Sequence, residues 1–341
     1  MEIKPSVDRV DAFVDPLSDR KSREQHMVDS ASTVAFRVAV RTLSTDLVTV
    51  EVVSALEAAG IACLVLKGPA LAEWLYPDSP RFYGDSDVMV SEDSIDQAEK
   101  VLRDMGFEHP PLDDIPHDKP WHAHAWVRPG TGSVDLHRTL IGAGAPPAKV
   151  WRVLSERTDV MQVGGREVTI PEASVRAMHV ALHAAQDGAR NQRFLEDLER
   201  AVEQPLALWE QANEIAERID AVPSFAAGLR MLPAGTAVAE RLALPAQATI
   251  EISLRASGSP PEALGLAWLA SRPGVGNKLV FAARKLIPPP SFMRAWTPLA
   301  RTGPPGLVAA YVWRWLWLVV KTPPAVRAWW RARGSVDKRA A

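Results

Sequence analysis

The chain has 341 residues, of which 47% are hydrophobic and 23% charged, with a formal net charge of −2. This length exceeds what one hydrophobic core usually serves, so we expect two or more domains of ordinary globular composition. The single cysteine, Cys63, excludes a disulfide framework within the chain and predicts a cytoplasmic location.

The two ends of the chain differ in character from its middle. Residues 1–27 are polar and of mixed charge, so we expect a disordered segment rather than a signal or transit peptide. From Ser271 to Ala341 there are 13 Lys and Arg against one acid, Asp337. This end therefore carries +12, which leaves −14 of the total of −2 for the first 270 residues. Seven of the 12 tryptophans also follow residue 267.

The spacing of apolar residues predicts a mixture of helices and strands over the first 170 residues. Glycine and proline positions set the predicted bounds of these elements. We expect a helix over 28–59, a strand over 61–66, a helix over 69–76, a strand over 85–90, a helix over 92–105, a loop over 107–120, a hairpin of strands 121–128 and 133–137, a linker over 141–147, a helix near 148–155, and a second hairpin with its tip at 164–165.

Strand signals vanish after Pro171 and helical spacing takes over. Helices are expected over 172–187, 191–203 and 206–218, followed by shorter helices to about residue 256. The predicted fold class is therefore α+β, a mixed half followed by a helical half. The predicted domains are a catalytic domain at 28–170, a helical domain at 171–257, and a basic, tryptophan-rich helical region at 258–341.

Two aspartates at the start of a predicted strand are the first candidates for chemistry. Asp85 and Asp87 stand two positions apart, and side chains at this spacing share one face of a strand. Two carboxylates on one face repel each other unless a cation lies between them. Divalent cations such as Mg²⁺ prefer oxygen ligands of this kind. The spacing therefore predicts a metal site.

The flanking residues supply the other groups that nucleotidyl transfer needs. Asp135, on the return strand of the first predicted hairpin, is a candidate third acid, as a metal ligand or as the general base for an incoming hydroxyl. Gly68 lies where a strand turns into a helix, a place where backbone N–H groups can hold phosphate oxygens. Lys67 and Arg81 are candidates to neutralise phosphate charge. Alternatively, Lys67 lies in solvent and Arg81 pairs with an acid of its own loop.

These residues lie in motifs that resemble the uncharacterised nucleotidyltransferase family of the DNA polymerase β-like superfamily. The motifs are Leu66-Lys67-Gly68-Pro69-Ala70-Leu71, Leu75-Tyr76-Pro77-Asp78, Arg81-Phe82-Tyr83-Gly84-Asp85-Ser86-Asp87 and Val134-Asp135-Leu136-His137. The resemblance continues through residues 177–183, 194–198, 288–294 and 311–314, and it covers roughly residues 45–320.

The resemblance implies a small mixed sheet flanked by helices, as well as roles for the motif residues. Asp85 and Asp87 would be metal ligands, Asp135 the third acid, and Gly68 part of the nucleotide-binding turn. One departure is Pro69, which has no N–H to donate to phosphate. Another is the separation of 17 positions between Gly68 and Asp85, which is longer than the separation between the glycine and the acids in the superfamily. We therefore expect the phosphate grip to use side chains at 67 and 81.

Several histidines and one acid are candidates for a substrate pocket. His137 shares a strand face with Asp135, and it either hydrogen-bonds this acid or fills the sheet edge. His183 lies one helical turn after His179, a spacing that zinc can use but that here favours a structural or pocket role. Asp197 either reaches the cleft from the helical half or lies on the helix surface. His122 and His124 are expected to line the hairpin surface or the substrate side rather than to bind a metal.

The basic, tryptophan-rich end has three interpretations. Leu307–Val320 is too short for a membrane span and is interrupted by Arg314, so no transmembrane segment is expected. The segment is either a helix that packs on the acidic half, a helix that lies on a membrane surface, or a site for nucleic acid or another acidic partner.

The sequence as a whole predicts a cytoplasmic, Mg²⁺- or Mn²⁺-dependent nucleotidyltransferase. It would move a nucleoside monophosphate from an NTP, with ATP as the expected donor, to a hydroxyl or phosphate acceptor on a small molecule, a peptide or RNA. The alternative is a non-catalytic module that keeps the fold and binds a nucleotide, a peptide or nucleic acid.

Overall fold

A computed structural model describes residues 16–109 and 121–340. The α-helices are α1 (Pro16–Ala58), α2 (Pro69–Leu75), α3 (Ile95–Asp104), α4 (Pro147–Ser155), α5 (Ala173–Asp187), α6 (Gln192–Ala201), α7 (Leu206–Arg218), α8 (Val222–Leu229), α9 (Pro233–Arg241), α10 (Ile250–Ala256), α11 (Pro261–Ser271), α12 (Val275–Leu286), α13 (Pro290–Trp296) and α14 (Pro304–Ala340). The strands are β1 (Cys63–Val65), β2 (Ser86–Val90), β3 (Ala123–Arg128), β4 (Gly132–His137), β5 (Thr158–Val163) and β6 (Arg166–Pro171).

Four of these strands form a mixed sheet in the order β1-β2-β4-β3. Strand β2 runs antiparallel to β1 and parallel to β4, while β3 and β4 form a hairpin. The parallel register places Asp87 directly opposite Asp135. The remaining two strands, β5 and β6, form a separate hairpin. The predicted α+β class is confirmed, with a small mixed sheet and a helical C-terminal region.

The two faces of the sheet pack against different parts of the chain, because successive side chains of a strand point to opposite faces. Val88 and Val90 of β2 join a core with the C-terminal half of α1 and the β5–β6 hairpin. Met89 joins the second core, which is built largely from α5 and the helices that follow it. Asp87 shares the face of Met89, so its carboxylate lies between the sheet and the helical half.

The predicted elements are close to the observed ones, and most of their ends differ by one or two residues. Helix α1 begins at Pro16, well before the predicted start at residue 28. Strand β2 begins at Ser86, so Asp85 lies in the bend before it rather than in the strand. Most of the loop predicted at 107–120 lies outside the described residues, although Glu108 pairs with Val127 across an isolated bridge.

The C-terminal helices α10 to α14 pack on one another through two small clusters, and α10 also packs against α5 and α8. One cluster joins Leu254, Leu264 and Ala325, and the other joins Met293 and Ala310. None of the described helices combines the length and the hydropathy that a membrane span requires.

Candidate active site

The centre of the site is a pair of carboxylates on neighbouring parallel strands. Asp87 of β2 faces Asp135 of β4 across the ladder, and His137 follows two residues after Asp135 on the same face. Ligand atoms from Asp87, Asp135 and His137 all lie within 4.8 Å of one another, and this group could hold a metal ion. We call these three residues the carboxylate cluster.

Asp87 is the charged member of the cluster. Its side chain is buried, and its Oδ1 lies 2.6 Å from Lys67 Nζ and 3.0 Å from His137 Nε2. Burial alone would raise the pKa of the Asp87 carboxyl, but the Lys67 charge and the hydrogen bond from His137 hold this pKa well below its usual range. Asp87 is therefore an anion at any physiological pH.

Asp135 has the opposite environment. Its carboxylate forms no hydrogen bond or ion pair with any residue in 16–109 or 121–340. Burial, followed by the negative charge of Asp87, raises the pKa of Asp135 to about 6, and Asp85 adds to the effect. The charges of His137 and Lys67 act in the opposite direction but do not cancel this rise in the pKa of Asp135.

These residues fit a divalent cation. Carboxylate oxygens are hard ligands of the kind that Mg²⁺ and Mn²⁺ take. The partnerless Asp135 carboxylate is the observation that favours a cation here, because a charged acid beside another acid is costly without one. Lys67 forms its ion pair with Asp87, and the charges of Lys67 and His137 offset the raised pKa of Asp135 only in part.

Asp85 does not belong to the carboxylate cluster. It precedes β2 by one residue and is half-buried, so the strand alternation that predicted a shared face with Asp87 does not apply to it. Its charge still acts on Asp135. The prediction that Asp85 is a metal ligand stays a prediction.

The turn at Lys67-Gly68-Pro69 connects the cluster to α2. Gly68 has φ 59° and ψ −113°, a conformation that side-chain-bearing residues avoid, and a Cβ there would lie 3.2 Å from the ring of Tyr83. Pro69 begins α2. The turn therefore depends on glycine for its shape, and it carries Lys67 to Asp87.

Arg81 and Asp197 form a buried ion pair that joins the sheet region to α6. Arg81 Nε and Nη2 lie 2.8 and 2.7 Å from the two carboxylate oxygens of Asp197. The hydroxyl of Tyr76 donates a third hydrogen bond to Asp197 Oδ1 at 2.9 Å. Arg81 thus pairs with an acid that is 116 residues away, rather than with Asp78 or Asp85. The predicted contact between Arg81 and phosphate stays a prediction, because the Arg81 guanidinium is paired with the Asp197 carboxylate in this structure.

His183 lies beside Lys67, as do His179 and Asp197. His183 Nε2 is 3.0 Å from His179 Nε2, and the ring of His183 stacks on Phe194 at 5.1 Å between ring centres. Burial, followed by the charge of Lys67, lowers the pKa of both histidines well below the usual value. Together with Lys67 and Asp197 they line a cavity of about 10 Å³. A cavity of this size admits about one water molecule.

A larger cavity adjoins the cluster on another side. His122 lines it, and the ring of His122 lies 6.0 Å from the ring of His137. Burial, followed by the charges of His137 and Lys67, lowers the pKa of His122 to about 4, so this imidazole is neutral. The cavity has a volume of about 360 Å³, and Gln186, Ser224 and Arg255 also line it.

Sequence reasoning did not assign Tyr76 or Arg255 to the site. Tyr76 stands in a quoted motif, but only the fold shows that its hydroxyl reaches Asp197. Arg255 is distant in sequence from every motif, and no local signal connects it to the hairpin histidines.

A sequence model of the family described as "Uncharacterised nucleotidyltransferase" matches residues 23–234, which is more than half of the chain. The chain belongs to this family. The matched span includes the whole carboxylate cluster, Lys67, Arg81 and Asp197. Helices α10 to α14 lie beyond it. No curated protein matches the chain.

Three solved structures are similar to this member of the nucleotidyltransferase family. The antibiotic-resistance factor ANT(2'')-Ia is 12% identical, with 52% of this chain and 94% of its own covered at a TM-score of 0.36. The lincosamide antibiotic adenylyltransferase LnuA, solved with lincomycin bound, is 13% identical, with 44% and 92% covered at a TM-score of 0.32. An antigenic nucleotidyltransferase-like protein from Paracoccidioides brasiliensis is 13% identical, with 55% and 93% covered at a TM-score of 0.32.

Proposed function

We propose that this nucleotidyltransferase uses Mg²⁺ or Mn²⁺, held by Asp87 and Asp135, to transfer a nucleoside monophosphate from an NTP. ATP is the expected donor, and the acceptor offers a hydroxyl or phosphate oxygen. The observation that carries the proposal is the carboxylate of Asp135, which faces Asp87 across parallel strands and has no partner among the described residues. The cytoplasmic location stays a prediction.

The chemistry follows from the groups present. Asp87 and Asp135 would hold the divalent cation, which would supply positive charge to offset the negative charge that develops on the phosphate oxygens. The acceptor oxygen forms a bond to the α-phosphorus, the bond from this phosphorus to the bridging oxygen breaks, and pyrophosphate leaves. Asp135 has a pKa raised to about 6 in the metal-free protein, and it is the group placed to take the proton of an acceptor hydroxyl.

Lys67 and Gly68 are assigned to the phosphates. Lys67 Nζ already lies at an anion, 2.6 Å from Asp87 Oδ1, and its side chain is 13% exposed. With a divalent cation held at Asp87, Lys67 would be available to contact a phosphate oxygen. The glycine conformation at Gly68 holds the backbone that carries this lysine.

The acceptor is assigned to the cavity of about 360 Å³ beside His122. Its lining includes hydroxyl, amide and guanidinium groups, from Ser224, Gln186 and Arg255. This volume suits a small polar molecule, or the end of a peptide or RNA chain. The 6.0 Å between the rings of His122, which lines the cavity, and His137 of the cluster supports this assignment.

A second candidate function is a binding module that does not catalyse. The observation that favours it is the ion pair between Lys67 and Asp87, because the chain supplies its own cation to one of the two metal-binding carboxylates. Pro69 favours it as well, since it removes an N–H from the turn. This module would bind a nucleotide, peptide or nucleic acid without turnover.

The test compares nucleotide binding and turnover in matched variants. Isothermal titration measures the affinity for each NTP with Mg²⁺, with Mn²⁺ and with a chelator, in the wild type, Asp87→Asn, Asp135→Asn and a control, Asp96→Asn. Asp96 is an exposed acid on α3. We expect metal-dependent binding in the wild type and control and its loss in both cluster variants. Pyrophosphate release with a small-molecule extract as the acceptor source should follow the same order.

Two results separate the alternatives. NTP binding that is equally strong with a chelator contradicts the metal role of the cluster. Metal-dependent binding without pyrophosphate release from any acceptor fraction favours the binding module over the transferase.

A further inference from the structure

Helix α14 turns large apolar side chains toward solvent. Val308, Val312, Trp315, Leu316 and Val319 recur at helical spacing along its first half and are 46–70% exposed. We call these five residues the apolar face of α14. A helix of a globular protein normally packs such a stripe against the core, whereas α14 exposes it to solvent.

The buried positions of α14 are small residues and one arginine, with Leu307, Tyr311 and Trp329 partly buried beside them. The buried positions include Gly306, Ala310, Ala325 and Arg314. The Arg314 guanidinium donates to the carbonyl oxygen of Lys285 at 3.0 Å and lies over the ring of Phe292. These contacts hold α14 in the orientation that leaves its apolar face in solvent.

Two further contacts fix the same orientation. The hydroxyl of Tyr311 donates a hydrogen bond to the carbonyl oxygen of Pro288 at 2.6 Å. The indole N–H of Trp315 donates one to the carbonyl oxygen of Leu286 at 3.0 Å. Polar groups of α14 thus bind the backbone at the end of α12, while the apolar face remains outside.

Helix α12 continues the exposed apolar surface. Val275, Leu279 and Ile287 are 62–73% exposed. Leu286 and Ile287 line one side of an open groove of about 1000 Å³, and Trp315 and Val319 line the other. Fourteen of the twenty large hydrophobic residues exposed in the described part of the chain lie between Val275 and Trp330. The apolar groove lined by Leu286, Ile287, Trp315 and Val319 is typical of an interaction surface.

The positive charge of the segment that carries this surface indicates which kind of partner it binds. The segment from Ser271 carries +12, and five of its exposed cations form no ion pair within the described part of the chain: Arg284, Arg294, Lys321, Arg327 and Arg331. A second copy docking face to face would bring two such segments together, which is unfavourable. An anionic partner is favoured instead.

We propose that α12 and α14 form a docking surface for an anionic lipid membrane. Valine, leucine and tryptophan side chains enter the interface between headgroups and acyl chains, while the surrounding lysines and arginines bind anionic headgroups. The helices lie along the surface, since neither has the properties of a membrane span. The surface lies outside the matched family segment and does not depend on the catalytic proposal.

The test is co-sedimentation of the full-length protein with vesicles in the presence of a chelator, so that no metal bridges the two. Vesicles of phosphatidylcholine alone are compared with vesicles that contain about one third phosphatidylglycerol. We expect binding to the anionic vesicles alone, with at least a tenfold weaker partition at about 0.5 M salt, where surface charges are screened.

Three variants locate the surface. Val319→Glu places a charge on the apolar face and should lower the partition at least tenfold. Val160→Glu makes the same change on β5, where the residue is 63% exposed, and should leave the partition unchanged. Arg327→Glu should also weaken binding, without touching the apolar face. Circular dichroism checks that each variant is folded. If Val319→Glu does not fold, Arg327→Glu provides the test.

Four outcomes would overturn the proposal. They are the absence of binding to anionic vesicles, equal binding to neutral vesicles, equal losses in Val319→Glu and Val160→Glu, and a stable dimer that Val319→Glu disrupts. Binding to soluble polyglutamate as strong as binding to anionic vesicles would favour an acidic macromolecule instead. Metal-dependent NTP binding should be the same in all three variants, so failure here is separate from failure of the catalytic proposal.

Discussion

Asp135→Asn should stabilise the metal-free protein at pH 8, although it removes a group of the proposed active site. The pKa of Asp135 is raised from 3.8 to about 6 by burial and by the nearby Asp87 charge. Each pKa unit corresponds to about 1.4 kcal/mol, so the ionised carboxylate costs the folded state at most about 3 kcal/mol. Partial solvent screening lowers this to about 1–3 kcal/mol. Asparagine keeps the shape and removes the charge.

The pH dependence has a definite sign. A raised pKa means that the folded state holds the Asp135 proton more tightly than the unfolded chain does. The favourable contribution is therefore complete below about pH 4 and is lost as the pH rises through about 6. We expect the gain in melting temperature from Asp135→Asn to be absent at pH 4 and complete at pH 8.

The assay is thermal unfolding with a chelator, followed by titration with Mg²⁺ or Mn²⁺. Metal at about 100 times its dissociation constant should stabilise the wild type by about 2.7 kcal/mol and Asp135→Asn by much less. The control Asp96→Asn removes an exposed acid from the first turn of α3, where a negative charge is favourable. It should lower the free energy of unfolding slightly and leave the metal effect unchanged. Destabilisation by Asp135→Asn at pH 8, or an unaltered metal response, would refute the reasoning.

Two further predictions concern the framework around the cluster. Arg81→Met leaves the Asp197 carboxylate buried without its cation and should lower the free energy of unfolding by about 3–5 kcal/mol in urea titrations, with partial recovery when Asp197→Leu is added. A loss that the second substitution does not reduce would show that the pair is not the cause. Gly68→Ala should cost about 1–3 kcal/mol because of its φ of 59° and the close Tyr83 ring, and should weaken NTP binding. Gly60→Ala, also at positive φ but in open space, isolates the backbone cost, so equal losses in both variants would exclude a role for the ring contact.

The sequence was sufficient to predict the elements and the family because their signals are local. Helical spacing identifies α5 and α7 almost to their ends, and one glycine pair, Gly164-Gly165, marks the tip of the β5–β6 hairpin. Asp87 and Asp135 could be proposed as partners from the motifs around them, but their direct opposition depends on the parallel pairing of β2 with β4.

The remaining features of the site depend on contacts between distant parts of the chain. Strand alternation suggested that Asp85 would accompany Asp87, whereas β2 begins one residue later and His137 completes the cluster. His137 was expected to hydrogen-bond Asp135 or fill an edge, but it bonds Asp87 on the neighbouring strand. Arg81 and Asp197 are separated by 116 residues, and the spacing of apolar residues in helices and strands does not predict a contact between positions so far apart.

Locating the metal by anomalous diffraction tests the central claim most directly. Crystals soaked with Mn²⁺ and a non-hydrolysable ATP analogue should show an anomalous peak within ligand distance of carboxylate oxygens of both Asp87 and Asp135, with the triphosphate beside it. The same soak of Asp135→Asn should show no peak at this place. A wild-type crystal that binds the nucleotide with no manganese between these two carboxylates would contradict the account.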